Sequence, residues 1–136
     1  MEFIINKNKP TLCLNMIVKN EGKIIERLLA SVLPIIDSYC ICDTGSTDNT
    51  VELIKSYFES KNIPGKIVQE PFKNFCHNRN FALISCLGMS DYILLLDADM
   101  ILEIINFDKK ILKDYDYIYL LQGNNDFYYK NNGIYY

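Results

Sequence analysis

Two aspartates one residue apart close the most apolar run of the chain: in ILLLDADM, residues 93–100, Asp97 and Asp99 follow four consecutive aliphatic side chains. On an extended strand, residues i and i+2 project to one face, so the two carboxylates converge at the strand's carboxyl end if the extension persists that far. Like charges held together repel, and a site that keeps both ionised offers a cation or hydrogen-bond donors in return. Hard oxygen ligands with no histidine or thiolate beside them suit Mg2+ or Mn2+, ions commonly held by one or two carboxylates plus the phosphates of a substrate. Asp97 and Asp99 are therefore candidate metal ligands in a metal–diphosphate site. An Asp-x-Asp pair also occurs as an ordinary turn, so the reading depends on what else reaches the same place.

Three other junctions supply candidates. Asp43 ends the apolar run that opens ICDTGSTDNT, residues 41–50. It is a poor phosphate ligand but a good acceptor for a base N–H or a ribose hydroxyl, and Gly45 lets the backbone approach a planar base. Asp48 and Asn49 read as loop and cap residues, with Asn49 and Glu52 spaced as a capping box. VKNEG, residues 18–22, brings Lys19 and Glu21 to the end of the first apolar run. Arg79, in NFCHNRNFAL, residues 74–83, orients Asp97 or touches a nucleotide, or else covers apolar surface. The single histidine, His77, reads as a solvent-facing or capping residue.

These residues need elements that deliver them to one edge. TLCLNMIV (11–18), SYCICD (38–43), KIVQ (66–69) and DYILLLD (91–97) read as strands, the first as a run buried on both faces and the last as the most hydrophobic of all. Between them, helical spacing marks Ile24, Ile25, Leu28, Leu29, Val32 and Ile36, then Val51, Ile54, Tyr57 and Phe58, then Phe75, Ala82, Leu83, Cys86 and Leu87. The order β-α-β-α-β-α-β predicts an α/β fold, a mostly parallel sheet flanked by helices, with ligands beyond the carboxyl ends of the strands. A short amphipathic stretch around 101–105, a strand in YDYIYLLQ (115–122) and a hairpin turned at Asn132 and Gly133 complete a small mixed C-terminal part, rich in tyrosine and asparagine.

Composition bounds the function. With 136 residues, 49% hydrophobic and 23% charged, the chain can bury a proper core as one domain. A net charge of -3 removes the basic footprint of a nucleic-acid binder. The five cysteines contain no CxxC pair and sit mostly in apolar runs, so they are expected to be core residues of a reducing, cytoplasmic protein rather than zinc ligands. No segment approaches the roughly 20 apolar residues of a membrane span.

TLCLNMIVKNEGK, ICDTGSTDNTVELI, the NRNFAL helix and ILLLDADM, in this order and spacing, resemble the nucleotide-binding half of family 2 glycosyltransferases, inverting enzymes with a Rossmann-like GT-A fold; the match spans about residues 11–103. The resemblance implies a nucleotide-sugar donor, usually a UDP-sugar, and Mn2+ or Mg2+ on the DxD motif. It makes Asp43 the nucleoside contact, Asp97 the residue near ribose and metal, and Asp99 the metal ligand bridging to the diphosphate. Ile17 and Lys19 match the first loop, which flanks the base, and Arg79 matches the arginine of the helix before the DxD strand. Many members have a second acidic residue where this chain has Thr44. Members usually continue past the DxD strand into an acceptor half that carries the catalytic base. No residue here matches that base, so 104–136 is expected to be a partial acceptor-side segment and the fold truncated after the DxD strand; Asp126 is a remote candidate.

The expected function is thus sugar transfer from a UDP-sugar to an unknown glycan, protein or lipid acceptor, with a partner domain or a homo-oligomer completing the cleft. The alternative is a nucleotide-sugar-binding module without turnover. A phosphatase using aspartate as nucleophile fits less well, because its motif normally follows the first strand and continues with Thr or Val rather than Met100. A dinucleotide oxidoreductase lacks its G-x-G-x-x-G turn.

Overall fold

The computed structural model describes residues 10–120 and the backbone of 130–131 and 134–135. The chain divides into two compact units, Thr11–Leu102 and the remainder. In the first, β1 (Leu12–Val18), β2 (Ser38–Asp43), β3 (Gly65–Gln69) and β4 (Tyr92–Leu95) alternate with α1 (Ile25–Val32), α2 (Thr50–Ser60) and α3 (Phe75–Ser85). The four strands form one parallel sheet in the order β3-β2-β1-β4. The chain steps outward from β1 to β3, then crosses back to place β4 on the other side of β1. Right-handed crossovers running in opposite directions put their helices on opposite faces.

The register shows both faces. Leu14, Tyr39 and Leu94 share one, where the Tyr39 ring stacks on Phe58 of α2 at 4.3 Å. Cys13, Asn15, Cys40 and Ile93 share the other, where the Asn15 amide donates to the Ala82 carbonyl of α3 at 2.9 Å. Covering on both sides explains why β1 and β2 are nearly continuous apolar runs. Leu14, Met16, Ile25, Leu28, Leu29, Ile41, Ile54 and Phe58 are fully buried, each contributing about 1.5–3 kcal/mol of transfer free energy. At Gly65 a Cβ would collide with the ring and carbonyl of Tyr39, so only glycine lets β3 lie this close.

Cys13, Cys40, Cys42 and Cys86 are buried and Cys76 is exposed, all as free thiols. Cys13, Cys40 and Cys86 cluster with Met89 and Ile93, and burial pushes the thiols of Cys40 and Cys86 up to about 11. They are packing groups, as their apolar setting implies.

Several expectations are corrected. Of the stripe assigned to the third helix, Ala82 and Cys86 are buried as expected, but Phe75 and Leu87 are exposed, and α3 also buries Asn78. The Asn49 side chain makes no capping hydrogen bond, so no capping box starts α2; Asp48 takes the Thr50 N–H at 3.0 Å. β4 stops at Leu95, and Asp97 to Met100 form a turn closed by Met100 N–H to the Asp97 carbonyl at 3.0 Å.

In the second unit, Lys109–Asp114 form a 3-10 helix whose first turn is capped by the Asp108 carboxylate, accepting from Lys110 N–H at 3.0 Å. Residues 101–105 form no regular element, and 115–120 do not form the expected strand. Tyrosine-rich sequence favours a strand only where a ladder partner exists, and 115–120 pair with none among the described residues. β5 (Lys130–Asn131) and β6 (Ile134–Tyr135) pair antiparallel, as the hairpin reading expects; Asn132, Gly133 and Asp126 lie outside the described residues.

Candidate functional site

In an open parallel sheet the crevice opens where strand order reverses, beyond the carboxyl ends of the strands. Here that point lies between β1 and β4. Val18, paired with Asp43, ends β1, and Leu95, paired with Asn15, ends β4. The candidate residues from β1, β2, α3 and the segment after β4 all belong to this edge. By contrast, a concavity of about 510 Å³, lined by Tyr39, Lys55, Glu59 and Lys66 among others, lies at the amino end of β3. Shape alone does not find the chemistry.

On the β4 side, the Arg79 guanidinium donates to Asp97 Oδ1 at 2.9 Å, with the two side chains 34% and 49% exposed. Of the two roles open to Arg79, the ion pair favours orientation of the carboxylate. At this exposure the pair adds little stability, about 0–1 kcal/mol, so its consequence is geometric. The Asp97 N–H contacts Met100 Sδ at 3.4 Å, which helps close the turn. The turn changes how the acidic pair is presented: strand alternation ends before Asp99, which sits at the tip of the turn, exposed, with no side-chain partner among the described residues. Strand periodicity therefore does not bring the two carboxylates onto one face.

α3 is held to the sheet from below. Ala82 is among the last four residues of α3, whose carbonyls lack partners within the helix; Asn15, fully buried in β1, donates to it and to the Cys40 carbonyl, both at 2.9 Å. At the other end, Asn78 is fully buried. Its amide donates to the carbonyls of Glu70 and Pro71, each at 3.2 Å, and its oxygen accepts from Lys73 N–H at 2.9 Å. Asn74 caps the helix by accepting from His77 N–H at 2.7 Å, and the His77 imidazole lies 3.8 Å from Glu70. Sequence reading passed over Asn15 and Asn78. For Asn15 the available signal is a lone asparagine inside an apolar run, because a buried amide needs partners; Asn78, between His77 and Arg79, carries no such signal.

On the β2 side, Asp43 is buried, and both its carboxylate oxygens accept from Ser46 N–H at 3.2–3.3 Å. Thr44 is tied by its N–H and hydroxyl to the Val18 carbonyl at 3.0 and 3.2 Å, fastening the second loop to the end of β1. Gly45 has φ +123°, a conformation open to glycine. Ile17 is half-buried on the α3 face, and Lys19 is exposed. Asp48, exposed, accepts from Gly22 N–H, Thr50 N–H and the Thr50 hydroxyl, and the last of these chiefly holds its carboxyl below the ordinary 3.8.

Residues 13–132 match the model of glycosyl transferase family 2. The chain belongs to that family. Among its relatives, an uncharacterized glycosyltransferase of Rickettsia bellii (strain RML369-C) is 34% identical over 108 residues, covering 79% of this chain and 32% of the relative. Two solved structures share the fold. A mannosyltransferase from Pyrobaculum calidifontis, in complex with GDP-Man and Mn2+, superimposes with TM-score 0.59 at 21% identity over 68% of this chain and 28% of its own. Residues 1–349 of S. aureus TarS, in complex with UDP, superimpose with TM-score 0.53 at 24% identity over 65% of this chain and 27% of that one. The α/β sheet is thus the GT-A fold, and the chain spans about a third of the length of the Rickettsia bellii relative. Among the described residues no helix is long and apolar enough to cross a membrane.

Proposed function

We propose that this chain forms the donor-binding part of an inverting family 2 glycosyltransferase that takes a UDP-sugar and transfers its hexose to a glycan, protein or lipid acceptor. The observation that carries the reading is the Arg79–Asp97 ion pair beside the point where strand order reverses, with Asp99 exposed two residues on. With one carboxylate held by an arginine, the second is left free as a hard oxygen ligand for a cation that also carries a diphosphate.

The donor set fits Mn2+ or Mg2+. Among the described residues no three His, Cys, Asp or Glu side chains gather into a cage, which argues against a structural metal. An ion held by Asp99, with Asp97 beside it, and otherwise by phosphate and water is what these hard cations accept. When bound, the cation offsets the charge that develops on the leaving diphosphate. The chain's own residues do the rest. Arg79 orients Asp97, Asp43 and Gly45 face the nucleoside, Ile17 flanks the base, and Lys19 adds positive charge at the first loop. Inverting transfer also needs a carboxylate to take the acceptor proton, and no described residue is assigned to it. A partner domain or a second copy of the chain would supply the acceptor wall.

The test is calorimetric titration of the chain with UDP, GDP and UDP-sugars, with Mn2+ and with chelator. Binding of UDP that strengthens at least tenfold with Mn2+ supports the reading. Preference for GDP would move the donor to another nucleotide, and metal-independent binding would remove the cation.

A further inference from the structure

The first and second loops of the sheet edge are tied directly to each other by hydrogen bonds. Every main-chain N–H from Asn20 to Gly22 ends on a side chain of the second loop or of the helix that follows it: Asn20 on Ser46 Oγ at 2.9 Å, Glu21 on Thr50 Oγ1 at 2.9 Å, Gly22 on Asp48 Oδ2 at 3.1 Å. In return, Asn20 Oδ1 accepts from the N–H groups of Thr47 and Asp48, at 2.7 and 3.2 Å. To reach them Asn20 adopts φ +53°, a left-handed conformation that a residue other than glycine holds at some cost. A Cβ on Gly22 would run into the side chains of Asp48 and Asn49, so the loops leave no room there.

Of the brace only Thr50 is fully buried. Asn20 and Asp48 are exposed, whereas the buried stripes of α1 and α2 begin at Ile25 and Thr50. What the brace does fix is the relative position of Lys19 and the Asp43–Gly45 turn. We propose that Asn20 and Asp48 are positioning residues for the nucleotide, clamping the β1–α1 and β2–α2 loops into a preformed rim before the donor arrives. The inference rests on the donor-binding reading above. Its physical content is that a loop ordered in advance does not have to lose conformational freedom on binding.

Three chains separate the causes. Asn20→Gly keeps the left-handed backbone available but removes the accepting oxygen; Asn20→Asp keeps the oxygen and still tolerates φ +53°. Each is titrated with UDP and Mn2+ beside the native chain, and amide exchange at Thr47 and Asp48 is followed by NMR without nucleotide. For Asn20→Gly we expect UDP affinity to fall about tenfold, the size of one to two net hydrogen bonds, with faster exchange at both amides. Asn20→Asp should recover most of both. Native-like affinity in Asn20→Gly, unchanged exchange, or failure of Asn20→Asp to rescue would each overturn the positioning role while leaving donor binding intact. Absence of UDP and GDP binding by the native chain would overturn the donor reading, and this inference with it.

Discussion

The two sides of the candidate cleft are built in opposite ways. On the β2 side, Asp43, Asn20 and Asp48 spend their oxygens on main-chain N–H groups, so the loops are ordered by the protein itself. On the β4 side, a four-residue turn presents Asp97 and Asp99 with one ion pair and one sulfur contact. A nucleoside is uncharged and shaped, and a rim fixed in advance suits it. A diphosphate brings charge and, through its cation, its own ligands, so an acidic turn can stay open until both arrive. In the proposed donor site, preorganisation is concentrated on the side assigned to the nucleoside.

The contrast can be broken at its support. The β4 side depends on α3, and α3 depends on Asn15, whose amide takes a carbonyl near the end of the helix. Asn15→Ala should cost about 2–3 kcal/mol of stability in urea denaturation, because two carbonyls inside the core lose a donor. The orphaned Asn15 Oδ1 is lost as well, which keeps the figure from being larger. A change below the error of the measurement would mean that α3 is held by apolar packing and the Asn78 bonds without help from Asn15.

Next in size is Arg79→Ala. Stability should move by less than about 1 kcal/mol, since the ion pair is half exposed. Metal-dependent UDP affinity should nevertheless fall roughly tenfold, about 1.4 kcal/mol, as Asp97 loses its orientation. Equal affinity would make Arg79 a surface residue after all.

The smallest effect sharpens the β2 side. The carboxyl of Asp48 lies below its ordinary 3.8 because the Thr50 hydroxyl donates to it, so folding favours the ionised form. Its contribution is complete above the unfolded value and is lost as pH falls through the lower folded value. Thermal melts between pH 7 and 3 should therefore show a slightly steeper acid loss in the native chain than in Asp48→Asn. Parallel curves would mean the brace does not depend on charge.

How much of this was legible depended on the kind of signal. The apolar runs around Leu14, Ile41 and Leu94 and the helical spacing of Leu28, Ile54 and Phe58 located the sheet and two helices, because burial imposes periodicity. The motif order located the family. Periodicity was silent about the turn at Asp97–Met100, where one main-chain hydrogen bond overrides strand alternation, and it misassigned Phe75 and Leu87, which an α3 anchored by asparagines leaves in solvent. Asn20 and Asn78 act through main-chain groups that no side-chain pattern records, whereas Asn15 stood out only as a lone amide in an apolar run.

The most direct measurement is the electron paramagnetic resonance signal of free Mn2+, followed as UDP is added to the native chain and to Asp99→Asn. With the native chain the free-ion signal should fall well below the level set by UDP alone, and with Asp99→Asn it should return to that level. Indistinguishable signals from the two chains would contradict a cation bridged by Asp99.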